Sequence, residues 1–545
     1  MSTQDTPKGL TRSSLAFLSG TLLSRLTGLG RDVSMAFCFG SHPAVAAFMV
    51  AFRFANLVRR LLGEGPLPAG FIPHFIHLRM SSPEKGAQFF RDLFFSMLTL
   101  LYVLVVLGVI ALAAIWKWAD LSPEASQILY LTILMLPGVM FVCMFGLCSG
   151  LLQCEKKFFL TGFAPAAFNM VWMGAAWWLK GKDPSSSVVV LSLAIVVAFF
   201  FQWLSIVPQT FSFLKRYLSW KEMFRVDLFS SEMRQVVKPV LLGVVGVAST
   251  QINSALDGVF ARFASLEGPA YLWYAIRLEQ LPLALFGIAL SAALFPSLSR
   301  AMREGMMENY LALLRFAYRR SFSLIFPCTM GIFVLGAVSV NLIYGRGDFT
   351  AFATYNTIIC LWGYGLGLVP SVLILLLAPA FYAKKDYRTP MLGSVYSVLV
   401  NVAVSALCVF VLNWGAFSIA VATSFAAWVN YFYLSVHLAR RTGKLWERSL
   451  SASFWKTGIC TAIAAAVTVL VGVYVVKEPM LLYYFAQVSE EFPRSFSLQL
   501  LQFVTLTGTF GLILFSYAWV FNAKDLLELV GIRKKESAPA DLNLS

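Results

Sequence analysis

Charge is scarce in this sequence. Only 13% of its 545 residues are Asp, Glu, Lys or Arg, against 59% hydrophobic, and the mean hydropathy is +0.74. No soluble core can hide that much apolar surface, so the chain reads as an integral membrane protein. Histidine is nearly missing: His42, His74, His77 and His437 are scattered, which argues against a zinc site. The eight cysteines form no CxxC pair and fall almost entirely in apolar runs. Cys143 and Cys148, five apart, point in different directions on one helix, and the set reads as small buried residues rather than disulfides or metal ligands. The loops are short and hold no DxD, and the adjacent acids Glu490–Glu491 read as solvated. A membrane glycosyl- or phosphotransferase would need acidic metal ligands or a loop base, so no enzyme is expected. A cleavable signal peptide is not expected either, because Arg25 and Arg31–Asp32 interrupt the first apolar run and no small-residue cleavage site follows it.

What the sequence has is apolar length. Fourteen stretches, at about 13–38, 43–78, 88–116, 124–153, 157–179, 186–213, 235–262, 268–298, 310–338, 351–381, 389–413, 415–438, 455–476 and 498–522, can each cross a membrane. They predict an all-α polytopic membrane protein of about fourteen transmembrane helices. Glu64-Gly65-Pro66-Leu67-Pro68 breaks the second, and broken backbone at membrane depth is tolerated only beside protein or a polar cavity. Placing the N-terminus in the cytoplasm puts most loop Lys and Arg on that side, including Lys156–Lys157, Lys384–Lys385 and Arg440–Arg441. The far side receives Lys117, Lys180, Lys182, Arg262, Arg346, Lys477 and Arg494. Both termini are therefore expected inside, and topology with anionic lipid accounts for most of the net charge of +16 without nucleic acid. The basic, amphipathic loop Leu214–Gln235 is expected to lie on the cytoplasmic surface and link two halves. Arg53 precedes Pro73, and Arg277 precedes Pro296, at nearly equal spacing in the second span of each half, an echo of parallel repeats.

The charges that do enter the membrane concentrate in the first two spans. Arg25, Arg31, Arg53, Arg59 and Arg60 lie there, and each would cost about 2.5–3.5 kcal/mol if it faced lipid at the bilayer centre. On a helical wheel Arg53, Asn56, Arg60 and Glu64 share a face with Arg59 to one side, and Arg25 and Asp32 point the same way. An internal network of Arg25–Asp32 and Arg60–Glu64 is one reading. It leaves the arginines in excess, since Asp32 and Glu64 are the two acids of the stretch. That excess calls for an anionic guest, and the planar guanidinium fork suits phosphate or pyrophosphate. The second half adds Arg277, Glu279 and Gln280 before the helix-breaking Pro282. A quieter polar group comprises Asp257, Asn401, Ser405 and Thr423. It reads either as oxygen ligands for a monovalent cation or as isolated polar residues packing helix to helix.

Several motifs carry a family resemblance: SRLTGLGRD in the first span, FRFANLVRRLLGEG in the second, then YAIRLEQLP, YGRGDFT and LAPAFYAKKDYRTP. Together they resemble the MurJ (MviN) family of bacterial lipid II flippases in the multidrug/oligosaccharidyl-lipid/polysaccharide exporter superfamily. The resemblance covers spans one to twelve in order. It implies two pseudo-symmetric six-helix lobes, 1–222 and 223–442, plus two C-terminal helices and a tail at 443–545 that form a groove for the polyprenyl chain. It further implies a flippase that carries lipid II to the periplasmic leaflet of the bacterial inner membrane by alternating access, for peptidoglycan synthesis and cell shape. Arg25, Arg31, Arg59 and Arg277 look like the family's cavity arginines. Glu64 and Gly65 match an acidic-glycine motif, with Asp32, Asn56, Glu279 and Gln280 in supporting or gating positions. Asp257, Asn401 and Thr423 fit a cation site seen in some members, and Ser405 stands where a second carboxylate is found. The expected partners are lipid II, membrane lipids and the cell-wall synthesis machinery, and the expected coupling is Na+ or the membrane potential. Ala46 departs from the pattern by replacing an acid near the start of span two. The competing readings are a flippase for another polyprenyl-pyrophosphate glycan and a multidrug exporter of the same superfamily. Cation substrates would want carboxylates or aromatic cages in place of clustered arginines.

Overall fold

The computed structural model describes residues 7–63, 66–227, 231–442, 448–486 and 491–528, and among these the chain is helical with no strand. It opens with α1 (Pro7–Phe39), α2 (Pro43–Leu62), α3 (Pro66–Ser81), α4 (Pro83–Trp118), α5 (Pro123–Cys154), α6 (Phe158–Trp178) and α7 (Pro184–Leu204). Short α8 (Val207–Tyr217) and α9 (Trp220–Met223) lead to α10 (Ser231–Ala264). Then come α11 (Gly268–Pro282), α12 (Ala289–Arg303), α13 (Met307–Tyr344), α14 (Ala351–Gly365), α15 (Leu368–Ala383), α16 (Arg388–Ala406) and α17 (Phe417–Thr442). The chain closes with α18 (Arg448–Val471), α19 (Pro479–Leu481), α20 (Phe496–Val520) and α21 (Lys524–Leu527). Proline stands first in many of these helices, where its fixed φ suits the turn and its missing N–H is not needed. Ser82, Ser122 and Asp183 cap α4, α5 and α7 by accepting the N–H of Lys85, Ala125 and Ser186.

Among the described residues nine helices are long and apolar enough to cross a membrane, and α14–α15, bent by 40°, make a tenth. The other expected spans fall on α1, α2–α3, α10 and α11–α12, so each predicted stretch lies on a helix or a bent pair. The fold is that of an all-α polytopic membrane protein. Packing divides the chain into Met1–Val259 and Phe260–Ser545, a boundary inside α10.

In the first unit α5 packs against α2, α3, α4 and α7. Its Gly146 and Gly150 are one turn apart, a spacing that lets backbones approach. A Cβ on Gly146 would lie 2.0 Å from the Gly63 carbonyl oxygen, so α5 admits the end of α2 only because that side chain is absent. A second contact zone is aromatic: Phe52 meets Trp172 edge-on at 4.8 Å and Phe168 stacks on Phe199 at 4.7 Å. Together these fix the arginine-bearing helix α2 between α5, α6 and α7.

In the second unit α13 is the hub, touching α12, α14, α15, α18 and α20. After Pro282, which has no N–H to donate, the helix continues as a wider π turn over Leu283–Ile288. Polar clamps fasten α13 at two levels. At one, three turns into the helix, Arg319 pairs with Asp525 at 3.0 Å and Arg320 with Glu528 at 3.2 Å, while Ser453 of α18 donates to Asp525 at 2.6 Å. At the other, Gln499 of α20 donates to the carbonyls of Pro493 (2.8 Å) and Gly345 (3.1 Å), and Arg346 donates to Gln499 at 3.2 Å. Arg494 donates to the Gly345 carbonyl at 3.1 Å and also to that of Phe349. The YGRGDFT motif, residues 344–350, is thereby held to the start of α20.

Candidate substrate-binding arginines

In the first unit, α1 runs along α6, and one asparagine organises the contact. Asn169 donates to the Ser24 carbonyl at 3.1 Å and to the Thr27 hydroxyl at 3.2 Å, and its Oδ1 accepts from Arg31 at 3.1 Å. Arg31, only 7% exposed, holds Asp32, 2% exposed, at 2.7 Å and lies 4.6 Å above the Trp172 ring. Neutralised by the neighbouring carboxylate, hydrogen-bonded to an amide oxygen and seated on an aromatic face, this cation tolerates burial. The wheel pairs Asp32 with Arg25, but the structure pairs it with Arg31, because the long arginine side chain can curl back to the carboxylate beside it although the two Cβ atoms diverge. Arg25 itself is exposed and forms no ion pair or hydrogen bond among the described residues.

On α2, Arg53 and Arg60 turn toward α10. Arg53 donates to the Ser254 carbonyl at 3.1 Å, with its stem against Gly258, and Arg60 donates to the Gln251 side-chain oxygen at 3.1 Å. Arg59 and Asn56 are half-buried, and the Arg59 carbonyl accepts the N–H of Gly63 at 2.7 Å, which closes the helix. Glu64 and Gly65 lie outside the described residues, so the Arg60–Glu64 pairing does too.

In the second unit the Arg277 guanidinium lies 4.7 Å from the Trp273 ring centre on α11. Glu279 is 7% exposed and Gln280 is exposed on the same helix. Asn401 and Ser405 are buried one turn apart on α16, which packs along α17. On α17 the Thr423 hydroxyl donates to the Ile419 carbonyl at 2.9 Å. Asp257 is buried in α10 of the first unit. The Ser405 hydroxyl is buried with no hydrogen-bond partner among the described residues, an orphaned oxygen of the kind a hard monovalent ion accepts. No group of three or more His, Cys, Asp or Glu gathers as a metal site among the described residues.

Asn169, Trp172, Gln251 and the Ser254 carbonyl were not singled out in the sequence, yet they set where the arginines point. A lone asparagine inside the apolar run AAFNMVW was the available signal for the first. A backbone carbonyl offers none.

A family model described as Lipid II flippase MurJ matches residues 35–488. A protein of Chlamydia trachomatis named "Probable lipid II flippase MurJ" is 31% identical over 539 residues, covering 97% of this chain and 98% of that protein. The chain belongs to the lipid II flippase MurJ family. A Chlamydia pneumoniae relative carrying that same name is 31% identical over 540 residues, covering 97% of this chain and 96% of the relative. The solved structure titled "Lipid II flippase MurJ, inward closed conformation" superposes with a TM-score of 0.72 at 20% identity, over 94% of this chain and all of that one, a likeness of fold. The MurJ family match includes Arg53, Arg59, Arg60 and Arg277, whereas Arg25 and Arg31 precede it.

Proposed function

We propose that this chain translocates lipid II, an undecaprenyl-pyrophosphate-linked disaccharide-pentapeptide, from the cytoplasmic to the periplasmic leaflet of the bacterial inner membrane. Both termini lie in the cytoplasm in this reading, and the product feeds peptidoglycan synthesis. Membership of a family named for that transport supports it, and the observation that carries it chemically is Arg25: an exposed guanidinium on a predicted membrane span, with no ion pair or hydrogen bond among the described residues. Arg25, Arg53, Arg59, Arg60 and Arg277 are the proposed ligands of the pyrophosphate and head group. Arg31 acts by holding Asp32, and Asn56, Glu64, Gly65, Glu279 and Gln280 support or gate. The functional lobes proposed are 1–222 and 223–442, with 443–545 carrying the polyprenyl tail.

Transport by alternating access needs a ligand that prefers one conformation, because a ligand shifts an equilibrium only by its differential affinity. A pyrophosphate that neutralises clustered guanidinium groups removes their mutual repulsion and favours the conformation in which they draw close. No bond of the substrate is broken, so the role is that of a transporter and not of an enzyme. Sodium at Asp257, Asn401, Ser405 and Thr423, or the membrane potential, is the proposed driving force, and coupling to the cell-wall synthesis machinery is part of the same reading.

The test is lipid II accessibility in cells whose own flippase is replaced by this protein, read by a periplasm-restricted enzyme that releases the head group. Wild-type protein is expected to expose the head group, and Arg25→Ala or Arg277→Ala to abolish exposure at equal expression. Absence of flipping by well-expressed wild type would redirect the proposal to another polyprenyl-pyrophosphate glycan. Sodium enters separately: Na+ but not K+ should raise the melting temperature of wild type, and Asp257→Asn should remove the difference.

A further inference from the structure

The segment between α7 and α10 is not a slack linker. The apolar span through α7 and α8 ends at Tyr217, and the chain then turns through α9 with Leu218 and Met223 buried as anchors. On α8, Thr210, Phe213 and Leu214 face inward while Lys215 and Arg216 face out. Three linked ties hold the turn. Ser219 and Glu222 form a reciprocal cap, Arg91 donates to the Glu222 carbonyl at 2.5 Å, and the Asp227 N–H donates to Asp92 at 3.1 Å. Arg91 and Asp92 are themselves a buried pair at 2.6 Å.

This rigid turn presents large rings outward. Trp220 is 57% exposed and Phe224 70% exposed, three and seven residues past the end of the span. Around them Lys215, Arg216, Lys221 and Arg225 are all exposed, and the Lys215 ammonium lies 5.3 Å from the Trp220 ring. Of the two acids here, Glu222 is occupied by Ser219, whose hydrogen bond holds its carboxyl below the usual carboxylate range. Rings that shun water, set among cations where a helix leaves the bilayer, match one surface: apolar rings at head-group level and phosphates beside the cations.

We propose that residues 211–225 form a binding site for an anionic phospholipid of the leaflet into which this segment emerges. The site is separate from the arginines assigned to the transported lipid and stands whether or not that assignment holds. It pins the turn between α8 and α10 to the membrane surface and makes the protein responsive to the anionic lipid content of that leaflet.

The test uses full-length protein in nanodiscs containing acyl-brominated lipid, with Trp220 fluorescence taken as wild type minus Trp220→Phe. At equal mole fraction, brominated phosphatidylglycerol is expected to quench Trp220 more strongly than brominated phosphatidylcholine. Each cation near an anionic surface contributes about fivefold, so Lys215→Gln with Arg216→Gln should lower the preference by about 25-fold. Lys221→Gln with Arg225→Gln serves as a second pair should the first express poorly. Equal quenching by both lipids overturns the proposal, as does no quenching, which would place the rings against water or a protein. Relief of quenching by inorganic pyrophosphate would also overturn it, by assigning the cations to a soluble phosphate.

Discussion

Replacing Gly146 by alanine is the sharpest test of how the arginine helix is held. The new Cβ would stand 2.0 Å from the Gly63 carbonyl oxygen and 2.9 Å from its carbon, whereas ordinary contacts begin near 3.4 Å. The neighbour is backbone, so no side chain can swing aside, and the end of α2 must retreat by roughly 1.4 Å. Overpacking of this kind costs about 1–3 kcal/mol. Alanine's better helix propensity returns about 0.5–1 kcal/mol, so the net loss remains on the destabilising side. Arg59 and Arg60 occupy the last turn that must move, and the 3.1 Å bond from Arg60 to Gln251 does not survive such a displacement. Gly174→Ala is the internal control, because a Cβ there meets nothing within 4 Å. Thermal melts of the purified variants, alongside head-group accessibility in cells, separate packing from transport. Gly146→Ala should melt lower than Gly174→Ala and flip less. Equal melting and equal transport would refute the claim that this glycine positions the arginines.

Arg25 and Arg31 should fail in opposite ways. Arg25→Ala is expected to keep its melting temperature and lose transport, whereas Arg31→Ala strands Asp32 in a buried setting at a cost of about 3–5 kcal/mol. Equal melting of both variants would count against the pairing seen here. Gln499→Leu removes the donor shared by the Pro493 and Gly345 carbonyls, at about 1–3 kcal/mol, and should speed hydrogen exchange across residues 344–350. Unchanged exchange would mean that Arg494 alone holds the motif. Glu478, just past the π turn that ends at Val476, is buried, and burial pushes its carboxyl from 4.5 up to about 7. The folded protein then binds the proton more tightly than the unfolded chain, so stability is full below pH 4.5 and declines as pH rises toward 7. Glu478→Gln should flatten that part of the melting-temperature profile, and a persisting slope would assign it to another group.

Hydrophobic length made the spans legible, and each expected stretch lies on a helix or bent pair. Charge in the wrong solvent made the arginines legible, because every one in α1 and α2 needs a polar explanation. What could not be read was direction. Arg53 and Arg60 reach groups on α10 some two hundred residues away, one of them a backbone carbonyl, and nothing local in α2 announces that choice. The helical wheel paired Asp32 with Arg25 because it treats a residue as a direction. A guanidinium on three methylenes is closer to a tether, and the adjacent Arg31 won. The packing boundary at Val259 was equally hidden, since it falls inside the continuous helix α10, twenty residues past the one proline of that helix, Pro239, and no break in the helix marks it.

The clamps on α13 settle how α20 can behave in a bilayer. Two helices joined along an apolar seam can ordinarily slide by a turn or open like scissors, because lipid replaces each lost contact at little cost. Riveted to α13 at both extremities, α20 has neither freedom: a slide shears Gln499 from the Gly345 carbonyl at one end while it drags Asp525 from Arg319 at the other. The last span therefore behaves as an outrigger. Every tilt of α13 is copied outward through α18 and α20, and a hydrocarbon chain lying along that pair would be carried with the tilt, with no hinge of its own to cross.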